Sequence, residues 1–324
     1  MQTVEPDTSH QALIELRQRL GADRVRVSQP LAPFTTYRIG GPADLFYQAK
    51  TTGELAKAIE LANELGVPYF LLGLGANILV GDGGIRGLVI KNESRRVDFL
   101  GAHVAAAESG AVMSHLIEAT EERGLSGLEH FAGIPSTVGG ALWQNLHFLA
   151  PDRVTTVFIE ECLRGAQVLT EAGDIVEVDK DYFQFGYDAS ILHHRRDVVL
   201  KATFELTPRS KEAVRDVIGA NLKWRAEKHP DLTQFPSAGS VFRKIEGLGA
   251  GRLIDQCGLK GTVVGRAQIA EKHANFIVNL GGATADDVLQ LIRLCQYKVR
   301  ERFSVELTPE ISLVGAFHAV TEQS

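Results

Sequence analysis

Apolar positions in this chain change their spacing several times, and each change marks an element. Between His10 and Leu20, Ala12, Leu13, Leu16 and Leu20 fall on one helical stripe, with Gly21 as the stop. Asp44 to Gln48 reads as a strand. Thr51 or Thr52 caps a second amphipathic helix through Leu65, and Val67 to Leu72 is a short apolar run of the kind a buried strand carries. Together these predict a strand–helix–strand unit with the usual right-handed crossover. Strand patterns follow at 78–80, 87–90, 97–100 and 103–106, then a helix over 112–122. Residues 155–207 predict strands with turns at Gly165, Gly173 and Gly186, and residues 210–228 a helix of mixed charge ended by His229-Pro230. Beyond Ser237 the pattern shifts to a short strand, a glycine-rich turn, a helix near 250–257 and further strands. A long helix over 285–303 follows, with Thr284 as cap, and residues 305–307 and 311–314 close the chain as strands. The fold class is α+β, with a division near residue 209.

Two glycine-rich stretches interrupt this pattern. Gly73-Leu74-Gly75-Ala76-Asn77-Ile78-Leu79-Val80 follows the run that ends at Leu72. Glycines at 73 and 75 let the backbone approach a ligand closely, and bare N–H groups there suit a phosphate or pyrophosphate. A plain strand-ending turn is the other reading. The chain then returns to strand instead of entering a helix, which argues against a Rossmann dinucleotide site. The second stretch, Gly133-Ile134-Pro135-Ser136-Thr137-Val138-Gly139-Gly140, leads into Ala141 to Asn145, with Ser136 or Thr137 placed to cap a helix start and offer a second anion contact.

Composition narrows the function. At 324 residues the chain has room for two domains, and 44% hydrophobic with 23% charged residues is ordinary for a water-soluble protein. A formal charge of −6 argues against broad nucleic-acid binding. Cys162, Cys257 and Cys295 are odd in number and far apart, so neither a zinc site nor a disulfide framework is expected, and no metal site is assigned. The polar, acidic stretch Met1 to Asp7 has no apolar core of a signal peptide, and no run of 18 apolar residues exists, so a cytoplasmic protein without a membrane span is expected.

Several segments carry a family resemblance. These are Thr35-Thr36-Tyr37-Arg38-Ile39-Gly40-Gly41-Pro42-Ala43, both glycine stretches, and Ala238-Gly239-Ser240-Val241-Phe242-Arg243-Lys244. Gly251 to Gly261, Lys272-His273-Ala274-Asn275-Phe276-Ile277-Val278-Asn279 and Leu307-Thr308-Pro309-Glu310-Ile311 complete the set. In this order, over about residues 33–315, they resemble the UDP-N-acetylenolpyruvoylglucosamine reductase (MurB) family, in its shorter subtype. The resemblance implies an N-terminal helical segment (1–29), an FAD-binding domain of the PCMH or vanillyl-alcohol-oxidase type (30–208) and a smaller α+β substrate-binding domain (209–324). It also implies NADPH-dependent reduction of an enolpyruvyl ether on UDP-N-acetylglucosamine, in peptidoglycan precursor synthesis. The implied protein is a monomer or weak dimer that takes a small UDP-sugar and no nucleic acid. No cysteine lies in a glycine loop, so FAD is expected to be held non-covalently.

The same resemblance assigns site residues. Ser240 matches the family's proton donor to C2, and Glu310 its catalytic glutamate, which needs a raised pKa to assist as an acid. Cofactor contacts fall on Arg38, Gly73, Gly75, Ala76, Asn77, Ile78, Gly133, Ile134, Pro135, Thr137, Val138 and Gly139. Substrate contacts fall on Tyr187, Lys223, Arg225, Arg243, Lys244, His273 and Asn275. Two departures stand out. Where the family follows Phe-Gly-Tyr with a substrate-contacting arginine, this chain has Phe185-Gly186-Tyr187-Asp188, which reverses the charge at a catalytic position. Either another cation (Arg195, Arg196, Arg38 or Arg225) takes over, or the enzyme is a flavin oxidoreductase of the same fold acting on a different, sugar-like substrate. And where the family has Asn-Ala-Gly-Ala-Tyr-Gly, this chain reads Asn145-Leu146-His147-Phe148-Leu149-Ala150.

Overall fold

The computed structural model describes residues 8–245 and 247–317; Met1 to Asp7, whose composition bore on targeting, lie outside the described residues. A four-stranded sheet takes Val25–Pro30, Pro42–Ala49, Ile85–Asn92 and Tyr69–Leu72 in that spatial order, antiparallel at the first pairing and parallel at the other two. The expected strand–helix–strand unit is there, but its strands are not neighbours, because Ile85–Asn92 lies between them. All of that strand except Arg86 is buried, as a central parallel strand covered on both faces requires. Helix Thr52–Glu64, capped by Thr51, lays Leu55, Ala58, Ile59, Leu61 and Ala62 on one face of the sheet beside Leu16 and Leu20. The edge strand Val25–Pro30 is an addition to the helical reading of residues 1–29.

A five-stranded antiparallel sheet follows, ordered Ile175–Asp179, Leu163–Leu169, Val198–Glu205, Val104–Glu108, Val97–Phe99. Its apolar face meets helices Met113–Glu121 and Val138–Gln144. Gly165 is not a turn. It sits inside Leu163–Leu169 at a register shift, and a Cβ there would stand 2.4 Å from the Val178 carbonyl oxygen, so glycine is needed for close strand approach.

Helix Lys211–Lys228, capped by Ser210, packs on Met113–Glu121 and on the short turn Glu129–Phe131. Past it, Ala250–Gln256, the strands Val263–Val264, Ala267–Ile269 and Ile277–Asn279, and helix Ala285–Phe303 build a further core. Thr284 caps the long helix as expected, accepting from the Asp287 N–H at 3.0 Å. Asp82, from the turn after the first glycine loop, accepts from the N–H groups of Ala285 (2.9 Å) and Asp286 (3.1 Å) on the same helix end. The buried Tyr37 hydroxyl donates to the Ile277 carbonyl at 2.8 Å. Residues 305–307 form no strand; Leu307 is buried, and its carbonyl accepts from the Gln296 side chain. Only Ser312–Val314 is a strand, and it pairs in parallel with Ile78–Val80, returning the chain's end to the first glycine loop.

Candidate active site

The first glycine loop is shaped by close contacts. Gly75 has φ +63, and a Cβ on it would lie 2.8 Å from the Phe34 carbonyl oxygen and 2.9 Å from the Thr35 Cα. A Cβ on Gly73 would lie 2.9 Å from Thr137 Oγ1, so the two glycine loops meet at this pair. Thr137 caps helix Val138–Gln144, its hydroxyl accepting from the Gly140 N–H at 3.2 Å. Lys91, buried and lowered to about 8 by desolvation, donates its ammonium to the Gly73 carbonyl and holds the loop from below. Among the described residues, no acceptor takes the N–H groups of Leu74, Gly75, Ala76 and Asn77. A run of four successive N–H groups without an acceptor among the described residues fits a pyrophosphate.

That wall faces a cavity of about 1020 Å³. Thr36 joins it to the opposite wall: its hydroxyl donates to the Ser237 carbonyl at 2.7 Å, and its N–H to the Gly75 carbonyl at 3.1 Å. Ser240 follows three residues on and lines the cavity. The segment after it is locked by Asn275. The Asn275 carbonyl takes the Val241 N–H at 2.8 Å, and its side chain exchanges two bonds with the Phe242 backbone, at 3.0 and 2.9 Å. The Glu310 N–H then donates to the Val241 carbonyl at 2.8 Å, which brings Glu310 onto the same wall. Burial raises the Glu310 carboxyl to about 8, with the charge of Asp188 pushing the same way and Arg243 opposing.

The residues expected from the sequence divide cleanly. Ser240, Glu310 and Asp188 line the cavity, as do Gly73, Gly75, Ala76, Asn77, Ile78, Ile134, Pro135, Thr137, Gly139 and Arg225. Arg225 reaches in from the last turn of its helix, over the Phe148 ring at 5.4 Å, with desolvation lowering it to about 10. Val138 is fully buried behind the wall, Gly133 (φ +81) packs against Arg225, and the Arg38 side chain is exposed. Lys223, Arg243 and Lys244 are exposed. His273 and Asn275 stand behind the serine segment, His273 Nδ1 accepting from the Asn275 N–H at 3.2 Å. Tyr187 is half-exposed, its ring 4.5 Å from that of His147.

The sequence reading assigned no site role to several polar residues that line the cavity. Asn92 and Ser109, joined at 2.8 Å, lie beneath the glycine loops and carried no signal in the sequence. His229 carried only a helix-stop signal, and its ring is lowered to about 3, first by burial and then by Arg225. His147 was visible as a departure, but its partner was not: its Nδ1 lies 3.7 Å from Asp188 Oδ1. Of the arginines considered as substitutes at position 188, Arg195, Arg196 and Arg225 line the cavity, with Arg195 3.8 Å from Asp197. Among the described residues no cluster of His, Cys, Asp and Glu is arranged to hold a metal, and no helix is long and apolar enough to cross a membrane.

Known proteins resemble both halves of this arrangement. Residues 43–179 match the family described as an FAD binding domain. Residues 230–314 match the UDP-N-acetylenolpyruvoylglucosamine reductase C-terminal domain. The chain is 36% identical to the UDP-N-acetylenolpyruvoylglucosamine reductase of Lachnoclostridium phytofermentans, over 94% of this chain and 97% of that protein. It is 40% identical to that of Rubrobacter xylanophilus, over 90% and 95%. The crystal structure of the MurB enzyme from Thermus caldophilus superposes with a TM-score of 0.74 at 33% identity, covering 89% of this chain and 97% of that one. With both domains matched in order and nearly the full length of these relatives covered, this chain belongs to the UDP-N-acetylenolpyruvoylglucosamine reductase family and carries an FAD-binding domain.

Proposed function

We propose that this protein reduces UDP-N-acetylglucosamine enolpyruvate to UDP-N-acetylmuramate with NADPH, as a cytoplasmic flavoprotein oxidoreductase of peptidoglycan precursor synthesis. The observation that carries the reading is the shared cavity: free N–H groups of one glycine loop on one side, Ser240 and Glu310 on the other. In this reading residues 30–208 hold FAD through the two glycine loops, and residues 209–324 hold the UDP-sugar, with Arg225 near its diphosphate. FAD held there would supply the hydride-transfer chemistry that links the nicotinamide to the substrate.

The protein's own task is to manage the charge. Hydride at C3 of the enol ether leaves negative charge on C2 that spreads into the carboxylate, and one proton must follow. Ser240 supplies that proton from its hydroxyl, because a carbanionic C2 is basic enough to take it. Glu310, held protonated near neutrality by burial and by Asp188, donates a hydrogen bond to the developing charge. The test is product formation: purified protein, NADPH and the enolpyruvyl substrate are expected to yield UDP-N-acetylmuramate, two hydrogens heavier, with one NADPH consumed per product. NADPH consumption only in the presence of oxygen, with the substrate recovered unchanged, contradicts it. The buried carboxylate of Asp188 is the observation that favours the second reading, an oxidoreductase of the same fold with a different sugar-like substrate, and that outcome would support it.

A further inference from the structure

Asp188 is 5% exposed and sits at φ 53 in the turn closed by the Gly186–Ala189 bridge. A buried carboxylate without a cation is costly, and a second carboxyl, Glu310, lies close enough to feel its charge. The one group able to carry positive charge within 4 Å of it among the described residues is His147. The imidazole is fixed on three sides. Its ring lies 4.5 Å from Tyr187 and 5.1 Å from Phe158, and its Nδ1 faces the Asn145 carbonyl at 3.4 Å and Asp188 Oδ1 at 3.7 Å. The Asn145 carbonyl, an acceptor only, is matched by a proton on Nδ1, and Asp188 Oδ1 lies just beyond hydrogen-bond distance on the same side. Nε2 has no hydrogen-bond partner among the described residues, and His147 lines the cavity. Position 147 also falls where the motif quoted above has glycine, and position 188 where it has arginine. The two departures are therefore in contact.

We infer that His147, oriented by Asp188, is the cation of the catalytic wall: its protonated imidazole presents Nε2–H to an anionic group of the ligand, such as the carboxylate next to the reacting carbon. Asp188 is then a positioning residue whose charge balances the imidazolium, while the Asn145 carbonyl at Nδ1 sets the tautomer. The other groups facing the pair are Glu310 and Arg243, whose charges act on each other, Tyr187 and His193, which both feel Asp188, and Glu160, which accepts from the Asn145 side chain at 3.2 Å. Arg243 is exposed, and Glu310 is protonated near neutrality, so His147 is the cationic group best placed between ligand and Asp188. The inference deepens the proposed function and rests on it, because it needs a carboxylate-bearing substrate.

The test is anaerobic stopped-flow on the holoenzyme. Flavin is reduced with NADPH, then mixed with the enolpyruvyl substrate, and its reoxidation is followed against pH for wild type, His147→Gln and the double variant His147→Gly/Asp188→Arg. Flavin absorbance and melting temperature check that each variant is folded and loaded. His147→Gln is expected to slow reoxidation roughly 100-fold, the usual cost of losing one preorganised donor to a developing anion. It should also lose a falling limb of the wild-type pH profile while keeping the limb due to Glu310. The double variant, which moves a fixed cation onto position 188, should recover most of the lost rate without regaining that limb. A His147→Gln enzyme as fast as wild type, or slowed equally at every pH, overturns the inference alone. A wild-type enzyme that the substrate does not reoxidise overturns the proposed function and this inference together.

Discussion

The N–H of Glu310 donates to the carbonyl of Val241 at 2.8 Å, so a backbone ladder fastens the glutamate to the residue after Ser240. The ladder continues through the Phe242–Pro309 bridge and the Arg243 N–H to the Thr308 carbonyl at 3.0 Å. In the other direction the chain runs from Glu310 into Ser312–Val314, which pairs with the strand following the first glycine loop. The candidate acid, the candidate proton donor and the cofactor loop are thus spaced by main-chain hydrogen bonds, which resist displacement better than side-chain contacts do.

Exchanging Ser240 for Ala removes the hydroxyl and leaves the ladder intact. Flavin reduction by NADPH should survive, and reoxidation by the enolpyruvyl substrate should fall by about 10²–10⁴-fold, the usual worth of a positioned proton donor. Stopped-flow absorbance of the two half-reactions checks it, and rapid reoxidation in the variant would sink the assignment.

Glu310 sets a pH dependence. Its carboxyl is raised from 4.5 to about 8, so the acid form needed at the developing charge is lost as pH climbs through about 8, and reoxidation should decline there. Stability follows the same sign. Between its ordinary value and about 8 the folded protein keeps a proton that the unfolded chain has released, so stability falls as pH rises through that window. Glu310→Gln should remove the decline near pH 8 from the activity profile and flatten the stability curve, and its melting temperature relative to wild type should be higher at pH 9 than at pH 5. Melting scans at the two values decide this.

Gly75→Ala should uncouple the cofactor loop. The left-handed backbone alone costs an alanine about 1–2 kcal/mol, and its methyl group would press on the Phe34 carbonyl and Thr35. The variant should purify with less flavin per chain than wild type, measured by absorbance, and should melt lower. Full flavin content would remove this loop from the cofactor site.

Asp82 has a structural test. Its carboxylate caps helix Ala285–Phe303 from the other side of the junction, and Asp82→Ala should lower stability by about 1 kcal/mol in urea unfolding. Because Thr284 caps the same helix end, the double variant should lose more than either single one.

Local chemistry was legible in the sequence. Thr51 and Thr284 cap the helices that their spacing announced, because a cap acts over three residues. Gly75 and Thr137 were readable for the same reason. Gly165 was misread because a glycine inside a strand looks like a turn until the neighbouring strand is known. Val305 to Leu307 have a strand's apolar spacing but no pairing partner, and the core takes Leu307 as a single buried side chain. What the sequence could not give was distance between remote segments. His147 and Asp188 were each visible as odd residues, yet nothing in their spacing said that they touch. Asn92 and Ser109 line the cavity as ordinary polar residues, without a motif to flag them.

The most direct test of the whole reading is one anaerobic turnover of the wild-type protein. Its flavin is bleached with one equivalent of NADPH, and UDP-N-acetylglucosamine enolpyruvate is then added. Return of the oxidised spectrum without oxygen, one flavin per substrate consumed and UDP-N-acetylmuramate recovered, is the expected result. A flavin that stays bleached until air is admitted would contradict it.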